Sequence, residues 1–412
     1  MEEWTGTLAE SREGKHLERQ IRAFHWVRLL SVVPDRRAGA AGESEAALRV
    51  EAWMREIGLE ETEQVCGPGE PEPSWRIALH LGCGALGCAM GGSLGVALVA
   101  LAALSFRRDL GPGLGPLSRL LPASQSIHVL GRGGAREPRR RVILSAGLDA
   151  PRAGRIFSKR LASRVGARRR RSRAPLVWAE RALWAGLGVA AASLLQASGP
   201  VFGAAQLVVT VALLLGAAAA VEWGLAAATP GANDNASGVA AMLTCGEQIL
   251  SQLRADTELC LVVGGGSHAG ATGLREALDR HPEWRSDRTI LIHFDRVGGG
   301  TLHYLSSEGA SERTAVSPRL REVARRLAVG GAYPEITPVD FVGETDARIA
   351  SARGFHTLAL VALEDGGAPG RDHARDDVPQ SLDMETVVWA ADFAAAVVVA
   401  SWRGASDPLA IV

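Results

Sequence analysis

Seven polar residues of this chain have the types and placement that metal-assisted chemistry needs: Asp149, Asp234, Ser267, His268, Asp295, His373 and Asp377. Aspartate and histidine are donors that a borderline divalent ion such as zinc takes at about 2.0–2.2 Å, and three such groups with a water make a catalytic site. They are distant in sequence but topologically coherent. Asp149 follows the apolar run RVILSA, Ser267 and His268 follow ELCLVVGGG, and Asp295 closes ILIHF. Asp234 lies in PGANDNASGVAAML, a loop running into an apolar helix, and His373 and Asp377 lie in GRDHARDD. Each residue also has an ordinary reading. Asp234 could cap the helix that follows it, Asp149 and Asp295 could anchor loops, His268 could be an exposed loop histidine, and His373 could hydrogen-bond Asp377.

The elements that would position these residues follow from periodicity. Apolar residues at 3–4 spacing predict helices over 16–33, 44–57 and 318–327, and short apolar runs predict strands over 59–66, 126–131, 141–146, 259–264, 289–294, 302–305 and 356–363. A last, very apolar helix over 384–402 carries Asp392 and reads as packed on a sheet. Strands alternating with helices imply an α/β fold: a mixed, largely parallel central sheet with helices on both faces. A ligand site then belongs at the carboxyl ends of the strands.

Two stretches interrupt that pattern. No charged residue occurs from Ile77 to Phe106, or from Ala182 to Val221, where Ser198–Gly199–Pro200 breaks the run. The second reads as a transmembrane helical hairpin and the first as an apolar membrane segment, with a turn at Gly91–Gly92 returning it to its starting side. The arginine-dense stretch before the hairpin, within 152–175, places its ends on the cytoplasmic side. The expected organisation is one α/β domain over 1–75, 120–151 and 225–412, with membrane insertions at 77–106 and 182–221 and a basic loop between. Localisation follows as multi-pass in a membrane of bacterial inner-membrane type, with the soluble domain cytoplasmic. Lys and Arg together number 45, as do Asp and Glu, and the arginine stretch lacks interleaved aromatics, so a nucleic-acid partner is not expected. The five cysteines show neither metal-type spacing nor a disulfide framework, and the first residues do not resemble a secretory signal.

Five segments in order, ILSAGLDA, PGANDNASGVAAML, VVGGGSHAGATG, IHFDRVGGG and DHARDDVPQSLD, resemble the zinc aminopeptidase family that includes glutamate carboxypeptidase-like and glutaminyl-cyclase-like proteins; GETDARIASARGFHTLALV matches the segment ahead of the last. The resemblance spans roughly 16–75 and 120–405. It implies that Asp234 takes the metal-bridging position, Asp295 a ligand position on the first metal and His373 one on the second. Ser267 and His268 fall where the family has two glutamates, the first a general base and the second a ligand. Gly147 falls where the family has a metal-binding histidine, with Asp149 at the position of the aspartate that orients it.

These departures set the functional expectation. A serine has no group titrating near neutrality, and loss of a positioned base costs about 10²–10⁴-fold in rate. The reading is a membrane-anchored aminopeptidase-like protein with impaired or absent catalysis, binding peptides or partner proteins. Two alternatives stand beside it. One is an active hydrolase or aminoacyl-transfer enzyme with a single zinc at Asp234, His268 and His373; the other is a membrane scaffold without catalysis or metal.

Overall fold

The computed structural model of the chain describes residues 12–111, 113–157, 174–195, 199–309 and 313–403. Most of the basic loop, 158–173, lies outside the described residues. In chain order the elements are α1 (Arg12–Ser31), α2 (Ala41–Glu56), β1 (Glu61–Pro68), α3 (Pro73–Met90), α4 (Gly92–Asp109), β2 (Gln125–Gly134), β3 (Arg140–Gly147), α5 (Ala174–Leu194), α6 (Pro200–Leu225) and α7 (Gly238–Leu250). Then follow β4 (Thr257–Gly264), α8 (Thr272–Arg280), β5 (Thr289–Asp295), β6 (Thr301–Glu308), β7 (Thr314–Ala315), α9 (Pro318–Val329), β8 (Thr337–Phe341), α10 (Ala347–Ala352), β9 (His356–Leu363) and α11 (Met384–Arg403). They form two compact units, one of 1–69, 125–151 and 228–412 and one of 70–124 and 152–227.

The first unit is built on a nine-stranded sheet in the order β1-β2-β4-β3-β5-β9-β6-β7, with β8 also paired to β6. Its centre, β4-β3-β5-β9, is parallel, and antiparallel strands flank it. The fold class expected from the sequence is borne out. β4 and β5 are buried along their whole length, which explains their unbroken apolar runs: a strand covered on both faces has no solvent side to alternate with. The last helix, α11, is a core helix, with Val387, Phe393 and Val397 fully buried. Its charge is neutralised where it sits, because Arg19 and Gln248 both donate to Asp392 at 2.6 and 2.7 Å.

Parallel strands present their carboxyl ends at one edge, so β3, β4, β5 and β9 deliver their following loops together. Gly147 and Gly264, the last residues of β3 and β4, are register partners. The two short strands β7 and β8 and the helix α10 were not anticipated, being too short to show a period.

In the second unit the apolar stretch 77–106 is two helices, α3 and α4, broken at Gly91 and Gly92, which adopt φ of +61° and +62°. A side chain is strained at such φ, so the turn depends on this pair of glycines. α3 and α4 pack closely: a Cβ on Gly87 would lie 2.7 Å from the Gly95 carbonyl oxygen. By length and composition, two helices among the described residues could cross a membrane, Pro200–Leu225 and Met384–Trp402. The second of these is the core helix just described.

A buried acid supports the loop ahead of α10. Glu308, at the end of β6, accepts the Thr345 N–H, and burial pushes its carboxyl up to about 8. The folded chain thus keeps this proton to about pH 8, whereas an unfolded chain releases it near 4.5. The stability it contributes is full below the lower value and is lost as pH rises through the higher, by up to about 5 kcal/mol. Glu308→Gln keeps an acceptor and removes that loss. Its melting temperature should match the parent's at pH 4.5 and exceed it at pH 8; an equal difference at both values would contradict the assignment.

Candidate active site

The loops leaving the parallel strands bring Asp149, Asp234, Ser267 and His268 together, with His373 beside them. The turn before α7 supplies Asp234. Residues 232–237 coil widely, with Asp234 and Asn235 out of helical conformation and a cis peptide between them. Asp234 does not cap the helix; no side-chain cap bond is made there. Its backbone is instead held by Asp377, whose two oxygens accept the N–H groups of Asn233 and Asp234 at 2.8 and 3.1 Å. Burial pushes the Asp377 carboxyl up to about 7, against the pull of those two donors. The wide turn leaves the Asp234 carboxylate pointing across the strand ends.

His268 meets it there. Its Nε2 lies 3.1 and 3.2 Å from the two Asp234 oxygens, and its Nδ1 lies 3.1 Å from Asp149 Oδ2. Asp149 also accepts the N–H groups of Ser267 and His268, at 2.7 and 3.2 Å, and so fixes the whole 267–268 turn. A ring with a carboxylate on each nitrogen is held as imidazolium. Burial alone would lower its pKa, but the charges of Asp234 and Asp149 and their hydrogen bonds raise it well above the usual value. Asp234 shows the reciprocal effect: burial would raise its pKa, and His268 chiefly, with Arg296 and His373, drives it well down. The His373 ring stands edge-on to His268 with centroids 5.8 Å apart.

Asp295 has a different partner. The Arg296 guanidinium donates through Nη2 to Asp295 and through Nη1 to Asp372 at 3.3 Å. It is almost fully buried, and the charge of Asp234 contributes to holding it protonated. Its backbone is fixed as well, its N–H donating to Asn235 Oδ1 at 2.8 Å. Ser267, at the general-base position, donates its hydroxyl to Asp346, just before α10. Burial raises the Asp346 carboxyl. Gly147 leaves the room that Ser267 occupies, since a Cβ there would lie 2.5 Å from Ser267 Oγ. A third buried cation, Arg36, donates to the carbonyls of Leu148 and Gly231 at 3.0 and 2.8 Å and ties the β3 loop to the Asp234 turn.

As placed, these donors do not fit a metal ion. Among the described residues no three His, Cys, Asp or Glu groups converge as a metal would require. A metal-binding nitrogen must offer a lone pair, whereas both nitrogens of His268 face carboxylates. Asp295 is spent on a guanidinium. What the arrangement does is balance charge internally: His268 against Asp149 and Asp234, Arg296 against Asp295 and Asp372. Sequence reasoning missed Arg296, Asp346 and Arg36. The signal for Arg296 was present, a charge directly after the carboxylate that closes an apolar strand.

Residues 218–398 match the sequence profile of Peptidase family M28. No curated protein matches the chain by sequence. Solved structures that resemble it include a zinc aminopeptidase from Bacillus subtilis, 14% identical, with a TM-score of 0.55 over 95% of this chain and 97% of that one. A glutaminyl cyclase from Tannerella forsythia is 11% identical, with a TM-score of 0.56 over 92% and 97%. A Zn-dependent exopeptidase from Parabacteroides distasonis is 13% identical, with a TM-score of 0.53 over 93% and 98%. The resemblance to zinc aminopeptidases drawn from the five segments is thereby borne out, in the matched region and in the fold.

Proposed function

We propose that this protein is a membrane-anchored, non-hydrolytic relative of zinc aminopeptidases, whose peptidase-like unit acts by binding a peptide or a partner protein. The observation that carries the reading is the pair of cations held by carboxylates at the strand ends, a half-buried His268 and a buried Arg296. His268 sits between Asp149 and Asp234, and Arg296 sits on Asp295 and Asp372. Two fixed positive charges stand among the carboxylates that the family resemblance assigns to two metals. The hydroxyl at the base position is committed to Asp346, so it takes no proton from water. Anchoring is supported by the charge-free stretches 77–106 and 182–221 within the helices of the second unit, that in α6 above all. The basic stretch before α5 favours a multi-pass arrangement with both ends of the hairpin on the cytoplasmic side.

Two of the similar solved structures, from Bacillus subtilis and Parabacteroides distasonis, are zinc enzymes, so zinc is the metal to test. The experiment is turnover of a leucine anilide in the presence of zinc, with Asp234→Asn as reference. Turnover at the level of that variant is expected, and turnover well above it would overturn the reading. The second reading, one zinc held by Asp234, His268 and His373, draws on the closeness of the two imidazole rings. Metal content separates the two.

A further inference from the structure

The helical unit contains a short hairpin and a long one, and their backbone chemistry differs. α3 and α4 have 18 residues each, about 27 Å at 1.5 Å per residue, and α6 has 26, about 39 Å. A hydrocarbon core is about 30 Å thick. α6 exceeds that and α5, with 21 residues, about matches it, whereas α3 and α4 fall short. The relative depth of the two turns is fixed by hydrogen bonds. Gly92 N–H donates to Ser193 Oγ at 3.1 Å, and Gln206 Nε2 donates to the Cys88 carbonyl at 2.6 Å. The Gly91–Gly92 turn is therefore level with Gln206, six residues along α6 from Pro200, or about 9 Å short of that helix's start.

Ser193 and Gln206 stand out in an otherwise apolar stretch. In water, the backbone of an exposed glycine turn needs no protein partner. In lipid each unpaired backbone group costs several kcal/mol, and irregular backbone persists only where protein satisfies it. Here a hydroxyl and an amide from the neighbouring hairpin do so. The faces around the turn are apolar and exposed, including Leu86, Met90, Leu94, Leu207 and Leu214. Among the described residues the arginine ion pairs of the unit lie at the other ends of the helices: Arg76–Glu70, Arg107–Glu180, Arg152–Glu72 and Arg155–Glu222.

We propose that α3–α4 is a re-entrant hairpin. It enters the bilayer from the side of those ion pairs, turns at Gly91–Gly92 inside the hydrocarbon against Ser193 and Gln206, and returns to the same side. α6 spans the full thickness, and the partner of the exposed apolar faces is lipid acyl chain. This rests on the membrane anchoring proposed above.

The test uses the full chain in right-side-out and inverted membrane vesicles, with Ser93→Cys and Val201→Cys as separate variants and a membrane-impermeant maleimide. Labelling is read by mass on the peptide carrying the new cysteine, so the native cysteines stay in place. Val201→Cys, near the start of α6, is expected to label from one side only. Ser93→Cys is expected to label from neither side and to label once detergent dissolves the membrane. Labelling of Ser93→Cys from the Val201 side would make α3–α4 a full crossing and overturn the proposal. Labelling from the opposite side would place the turn outside the lipid and overturn it equally. A chain recovered in the soluble fraction before any labelling would remove the membrane reading itself, a failure distinct from either.

Discussion

Replacing Arg296 by methionine should destabilise the peptidase-like unit by about 3–5 kcal/mol, the cost of breaking a buried ion pair from one side. The substitution removes one buried cation and strands two carboxylates, Asp295 and Asp372, in a site where Asp234 already adds negative charge. Methionine matches the length of the aliphatic stem, so the loss is electrostatic rather than a cavity. For a unit of this size the melting temperature should fall by roughly 10 °C. Thermal unfolding of the full chain in detergent measures it, and an unchanged melting temperature would mean that the guanidinium is dispensable. In a protein that neutralised these carboxylates with metal, such an arginine would have no structural task.

Rebuilding the family site tests the same charge balance from the opposite direction. Gly147→His, Ser267→Glu and His268→Glu together restore the missing donors and the base that the family resemblance assigns. That triple variant is expected to stay inactive, because Arg296 still occupies Asp295. Adding Arg296→Met should allow zinc uptake and raise aminopeptidase turnover at least about 10²-fold over the parent chain, which lacks the base, the lower end of what a positioned base supplies. Gly147→His also requires the 267 turn to shift, since a Cβ there would lie 2.9 Å from the Ser267 Cβ, which a glutamate keeps. Activity in the triple alone would show that Arg296 is no obstacle. A folded, zinc-loaded quadruple variant without activity would count against the residue correspondence.

Much of the fold was legible because the buried strands wrote it plainly. β4, β5 and β9 are unbroken apolar runs, and β9 was placed at its observed limits, 356–363. Asp149, His268 and Asp295 were found because each follows such a run, and Asp234, His373 and Asp377 from the loops that carry them. Their partners were harder to see. The chain has 45 basic residues, all but Lys15 and Lys159 arginines, and in so uniform a background Arg36 carries no distinguishing mark and Arg296 only its place after Asp295. Their role depends on which carboxylates the fold brings near, a long-range fact absent from local sequence. Asp346 was hidden for a related reason: it precedes α10, a six-residue helix with no readable period. Asp234 was legible as a site residue, but only the non-helical turn at 234–235 shows why it faces His268 rather than capping α7.

The most direct test of the central claim is the zinc content of the full chain, produced with zinc in the medium and purified without chelator. Cations held by carboxylates at His268 and Arg296 predict far less than one zinc per chain and a melting temperature that chelator leaves unchanged. One zinc per chain, lost in His373→Ala and accompanied by a fall in melting temperature on chelation, would contradict it.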